Sequence, residues 1–355
     1  MTPRVATFMT DHSSHSLPPR HSPRQTRRVT AWIKQHRSRL LLWLRLFISI
    51  ILMAFVMSLV LDDREKLRNV NWDWIPLAWA LILTSTLVKA LRWSLLVRLS
   101  NMDLTYRRLL GTYLVGAFFS TVLPTSVGGD AVRAVDTAAK TGRVADATSS
   151  VLIERGVGLL VVIGSGSIFG LFIEAGKVPQ VFLLVVHGMF VVGVIGLVFL
   201  RQGWFIEPLA ALMARVRMGK MVEKVRHLQA ALSGHLGHPL VLAEMLLLSI
   251  VANTLTMGAT YLVLSAVADP IPLASFVPMI TLITVAELIP ISIAALGVKE
   301  GAYIFFLGLA GVGSVEAGVT AIIMRVLTWA LALLGGAVYI GRTFSASPKD
   351  KAAEV

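Results

Sequence analysis

Apolar residues fall into unbroken blocks separated by short charged segments, rather than recurring on one face as in a soluble amphipathic helix. The blocks run from Leu40 to Leu61 and over about 76–97, 150–174, 180–200, 240–267 and 316–341. Each is close to the roughly 20 residues that a helix rising about 1.5 Å per residue needs to cross a hydrocarbon core. Two further blocks are interrupted. One, about 109–123, runs into Leu123-Pro124-Thr125-Ser126-Val127-Gly128-Gly129-Asp130; the other, about 273–289, runs into Pro290-Ile291-Ser292 and then Gly297-Val298-Lys299-Glu300 before resuming to about 313. The pattern predicts an all-α fold, a polytopic membrane helix bundle of 6–8 transmembrane helices plus two Pro/Gly-broken or re-entrant segments. The interruptions occupy corresponding places in the two halves, the pointer to an inverted repeat, although the Pro to Gly spacings are unequal.

Composition changes this picture little. Hydrophobic residues make up 55% of the chain and charged residues 15%. The formal net charge of +13 suggests a nucleic-acid binder until its distribution is read, because the basic residues sit between apolar blocks, where cytoplasmic loops carry them. No nucleic-acid partner is expected. Residues 1–39, with Arg20, Arg24, Arg27 and Arg28 among cations opposed only by Asp11, read as a disordered cytoplasmic tail. The run after it is too long for a signal peptide and lacks a small-residue cleavage site. Trp72 and Trp74 mark an interface, and Lys89, Arg92 and Arg98 return the second helix to the cytoplasm. Residues 201–239 are basic and predict an amphipathic helix on the cytoplasmic surface; 40–341 form the membrane domain and 342–355 a second cytoplasmic tail. Both termini are thus expected in the cytoplasm, in a cell inner membrane. The absence of cysteine excludes disulfides and thiol chemistry.

A backbone break at membrane depth is tolerated only where protein or a wet cavity satisfies the freed polar groups, so the breaks mark a site. Restarting helices point unpaired N–H groups and positive dipole ends into it, and Gly128, Gly129 and Gly297 allow close approach. Ser126 and Ser292 add hydroxyls, and Arg133 and Lys299 add full charges just inside the restarts. The sum is an anion site, with phosphate the most available membrane anion. Asp130 is expected to cap its helix and pair with Arg133, and Glu300 to stabilise the other helix start, with a direct substrate role open for both. Arg325, Glu287 and the Glu154-Arg155 pair lie within apolar blocks, where charges should face the bundle interior and pair. Arg92, near a helix end, is expected to snorkel to the interface. Gly164 to Gly170 reads as a helix-packing stripe rather than a dinucleotide loop. His227, His235 and His238 lack zinc spacing, and no phosphate loop or serine elbow is present, so no cofactor and no metal are expected.

The ordered set Arg92-Trp93, Leu123-Pro124 through Gly128-Gly129-Asp130 and Arg133, Glu154-Arg155, Pro290-Ile291-Ser292 through Gly297-Val298-Lys299-Glu300-Gly301, and Arg325 resembles the flippase-like transmembrane domain of lysylphosphatidylglycerol synthases over roughly 40–341. The resemblance implies handling or translocation of lipid head groups, such as aminoacylated phosphatidylglycerol or polyprenyl-phosphate sugars. Two departures stand out. The short stretch after the last helix has no room for a soluble synthase domain, so aminoacyl transfer is not expected, and Ala294-Ala295 replace glycine common in relatives, which stiffens the turn. The leading expectation is a lipid translocase rather than an enzyme, with an anionic head group near Arg133, Arg155, Lys299 and Arg325 and membrane lipids as partners. Glu154 and Glu287 are then candidate proton carriers, since lost hydration favours the neutral carboxyl. The rivals are a membrane-embedded lipid-modifying transferase and a non-catalytic partner subunit of a glycosyltransferase.

Overall fold

In the computed structural model the described residues are 46–58, 70–123, 127–174, 178–202, 219–289 and 292–345. Among them the protein is all-helical. Helices α1 (Leu46–Ser58), α2 (Trp74–Leu99), α3 (Tyr106–Val122), α4 (Gly128–Thr141), α5 (Val144–Gly170) and α6 (Gln180–Gln202) precede α7 (Gly219–Leu236). Then follow α8 (Pro239–Val267), α9 (Leu273–Ala286), a single 3-10 turn at Ile293–Ala295, α10 (Val298–Leu309) and α11 (Ser314–Ser345). Five of these, α2, α5, α6, α8 and α11, are long and apolar enough to cross a membrane. The expected sixth crossing, from Leu40 to Leu61, is described only over α1. The basic tail 1–39, the loop 62–66 and Pro124, Ser126 and Pro290 lie outside the described residues.

The long helices carry apolar residues all round, which suits a lipid-facing helix. On α6 only Val186 is buried and many large apolar side chains are exposed, including Val181, Leu184 and Val192, a surface that only hydrocarbon would solvate. The interrupted blocks become two pairs of short helices, α3–α4 and α9–α10, each broken where Pro and Gly were read. Helix α4 opens at Val127 without any side-chain cap, so the expected cap by Asp130 is not made; Asp130 sits in the first turn and turns to arginines instead.

The packing repeats. The first limb of each pair, α3 or α9, packs against the long helix of the other half, α11 or α5, while the second limb, α4 or α10, packs against the long helix of its own half. Helices α2 and α8 lie side by side and antiparallel: the Asn71 N–H before α2 donates to the Ala266 carbonyl at the end of α8 at 2.9 Å. Equivalent helices running in opposite directions are what an inverted repeat produces. Small residues let the halves meet closely. A Cβ at Gly335 of α11 would strike the Leu114 carbonyl of α3, and one at Gly166 of α5 would strike Thr281 of α9. The Gly164 to Gly170 stripe therefore packs helices, as its spacing suggested. On α7, the buried His235 ring meets the Ser100 hydroxyl at 2.7 Å and ties that helix to the end of α2.

Candidate functional site

The two broken pairs face one another across a cavity of about 370 Å³. Gly129, Asp130 and Arg133 line it from α4, Glu287 and Lys299 from the second pair, and Arg155 and Arg325 from the long helices behind them. A second cavity of about 320 Å³ shares Tyr113, Asp130, Arg133, Arg155, Thr284 and Leu288 with the first and extends between α2, α5 and α8 to Lys89, Arg92, Asn253 and Thr256. Gly128, Gly297 and Ser292 are not on either wall. Gly128 packs on Leu123, Gly297 packs on Leu52 of α1, and the buried Ser292 hydroxyl has no partner among the described residues.

Close approach of α3 and α4 at this site depends on Gly129, where a Cβ would strike the Gly116 carbonyl and the Ser120 hydroxyl. Gly116 in turn leaves room for the stem of Arg133. The Arg133 guanidinium lies 4.4 Å from the Trp93 ring centroid and 4.1 Å from that of Tyr113. Such stacking favours a desolvated cation. Its Nη1 donates to Asp130 and Glu154, both at 3.1 Å, while Nε and Nη2 have no polar partner among the described residues.

Glu154, 2% exposed, accepts from Arg133 on one oxygen and from Arg92 on the other. The expectation that Arg92 snorkels to the interface is thus wrong. It is 4% exposed, bonded to Glu154 and donates to the Ser249 hydroxyl at 2.6 Å. A buried carboxylate 62 residues away in sequence outweighs escape to the interface, because the unpaired Glu154 charge would otherwise be left desolvated. With both oxygens held by guanidiniums, Glu154 acts in this geometry as a structural counter-ion.

Arg325 is similarly engaged. Its Nε donates to Glu300 at 2.5 Å, and its Nη1 and Nη2 donate to the carbonyls of Ala294 and Ala295, both at 3.1 Å. Those alanines hold φ of 49° and 54°, a left-handed conformation that disfavours any residue with a Cβ. Arg325 therefore satisfies the carbonyls that the break frees. Glu300 completes the knot: its Oε2 accepts from the Gly297 N–H at 2.7 Å, the helix-start role expected of it.

Arg155 and Lys299 differ from these. Among the described residues each has a single carboxylate partner, Asp130 for Arg155 and Glu287 for Lys299 at 2.8 Å, and their side chains remain 30% and 17% exposed. They are more exposed than Arg133 and Arg325 on the same cavity wall. The Lys89 ammonium, which sequence reading took only as a marker of orientation, lines the second cavity and is bonded to the Thr256 hydroxyl at 3.1 Å; among the described residues it has no carboxylate partner. Among the described residues no cluster of His, Asp and Glu is arranged to hold a metal ion.

A hidden symmetry links the sites. Asp130 and Glu300 are each the third residue of their helix, Arg155 and Arg325 each lie eleven residues after the first residue of theirs, and the partners are 25 residues apart in both pairs. The repeat is thus visible as a chemical motif as well as in packing.

A model of the lysylphosphatidylglycerol synthase TM region matches residues 42–336. The chain belongs to this family. Searches of curated proteins and of solved structures each returned no match.

Proposed function

We propose that this member of the lysylphosphatidylglycerol synthase TM-region family binds the anionic head group of a lipid in the cavity between its two broken helix pairs and carries it across the membrane, with the acyl or prenyl chains left in the bilayer. One observation carries the reading: the segments flanking both breaks, contributed by opposite halves, line a single cavity in which the paired cations Arg155 and Lys299 keep side-chain exposures of 30% and 17%. Charges held inside a membrane bundle are costly and mark substrate pathways. Broken helices at a repeat interface supply an anion site that two sides can reach in turn. Arg155 and Lys299 grip the head group, Arg133 and Arg325 hold the walls, and movement follows a lipid gradient or is coupled to ions. The protein sits in the cytoplasmic membrane with both termini inside, as the basic loops ask.

Reconstitution in vesicles tests this. With a fluorescent anionic lipid and a membrane-impermeant quencher, the protein should speed exchange between leaflets, and Arg155→Gln or Lys299→Gln should lower the rate by about tenfold or more, a loss of roughly 1.4 kcal/mol of anion binding. Full transport by the double variant would refute the site.

A further inference from the structure

The two cavities carry an uneven charge. Six cations line them: Lys89, Arg92, Arg133, Arg155, Lys299 and Arg325. Four carboxylates answer these: Asp130, Glu154 and Glu287 on the walls and Glu300 behind Arg325. In the second half the balance closes, with Lys299 on Glu287 and Arg325 on Glu300. Among the described residues the excess of two positive charges belongs to the first half, where Lys89, Arg92, Arg133 and Arg155 face only Asp130 and Glu154.

The excess is also spread out. Arg155 stands on the wall shared by both cavities, and Lys89 stands in the extension beyond it, beside Thr256, Asn253 and Ser249. In a low-dielectric surround an unanswered ammonium is expensive, and a ligand that brings the missing negative charge removes that cost. A lysine offers a point charge to a phosphate and an arginine a planar fork, so each can hold one phosphate group. In the inner cavity the Thr256 and Ser249 hydroxyls donate to the Ala252 and Met245 carbonyls and the Asn253 amide to the Ser165 hydroxyl, so the Lys89 ammonium is the donor that a second phosphate would use.

Resting on the anion-site reading above, we infer that the ligand is a lipid head group with two phosphate groups, one at Arg155 between the cavities and one at Lys89 in the inner one. A prenyl diphosphate has this chemistry; a single phosphodiester, as in phosphatidylglycerol, leaves Lys89 unanswered.

The test uses the full chain in nanodiscs of zwitterionic lipid, with binding read by competition. The probes are a prenyl diphosphate, the prenyl monophosphate of the same chain, phosphatidylglycerol and inorganic pyrophosphate. The diphosphate lipid should bind at least about tenfold more tightly than each of the other three. Lys89→Gln, which keeps a hydrogen-bond donor toward Thr256, should bring the diphosphate down to the monophosphate level and leave phosphatidylglycerol affinity within about twofold; Lys89→Arg should retain the preference. Equal binding of diphosphate and phosphatidylglycerol, or a preference that survives Lys89→Gln, overturns the two-phosphate claim while leaving the anion site intact. Pyrophosphate binding as tightly as the lipid overturns the lipid part of the claim. If none of the probes binds, the anion-site reading falls with it.

Discussion

The two halves of the bundle use the same ion pair for different ends. In the second half, Glu300 is fully buried and Arg325 is 8% exposed, with each arginine nitrogen committed to Glu300 or to a carbonyl of the break. In the first half, the equivalent pair of Asp130 and Arg155 keeps side-chain exposures of 19% and 30%. The neighbours differ as well. Arg133 stands three residues after Asp130, where Tyr303 follows Glu300, and Glu154 precedes Arg155, where Met324 precedes Arg325. The equivalent pair is thus a buried lock in one half and a more exposed part of the cavity wall in the other. The two halves thus meet the cavity differently: the first lines it with the exposed Asp130–Arg155 pair, and the second with the Lys299–Glu287 pair while its Glu300–Arg325 pair closes the break.

This contrast can be broken from either side. The largest effect should follow removal of a buried counter-ion. Glu300→Ala strands Arg325 and Glu154→Ala strands Arg92 and Arg133, so each should cost about 3–5 kcal/mol, whereas Asp130→Ala at the more exposed pair, with Arg133 still held by Glu154, should cost about 1–3 kcal/mol. Denaturant or thermal unfolding in detergent measures all three, and equal losses for Glu300→Ala and Asp130→Ala would erase the distinction between the two equivalent pairs. Next in size, Gly129→Ala drives a methyl group into the Gly116 carbonyl and Ser120, and overpacking of that kind should cost about 1–3 kcal/mol in the same assay. The smallest effect sharpens the comparison in the other half. Ala294→Gly or Ala295→Gly relieves a left-handed alanine and should stabilise the protein by about 0.5–1 kcal/mol each, the gain in strain being partly offset by the freer unfolded chain.

The helix bundle was readable from the sequence because a membrane span needs one long apolar run and little else, and the observed helices follow the blocks within a few residues. The breaks were readable because Pro and Gly mark them directly. What escaped was pairing across distance. A lone arginine near a helix end carries no sign of which face it occupies, so Arg92 read as a snorkelling residue until the fold brought Glu154 to it. Lys89 was hidden for the same reason, since a basic residue near a predicted cytoplasmic end already had an explanation. Trp93 was named only within the ordered motif set and Tyr113 not at all, because their stacking on Arg133 joins α2, α3 and α4 and leaves no local pattern. The repeat was in plain view in one respect: the carboxylate-to-arginine spacing of 25 residues is identical in both halves, but the unequal Pro to Gly spacing drew attention to the turns instead of the charges.

The central claim is that both breaks open onto one water-filled cavity inside the membrane. Since the chain has no cysteine, single replacements can report on it without background. Ser120→Cys, Thr284→Cys and Thr328→Cys place thiols on the cavity wall, contributed by both halves, while Val192→Cys and Leu333→Cys place them on the exposed apolar surface. In protein reconstituted in vesicles, a charged, membrane-impermeant thiol reagent should label the three cavity positions and spare the two lipid-facing ones. Labelling confined to the lipid-facing pair, or three unreactive cavity thiols in folded protein, would contradict the account.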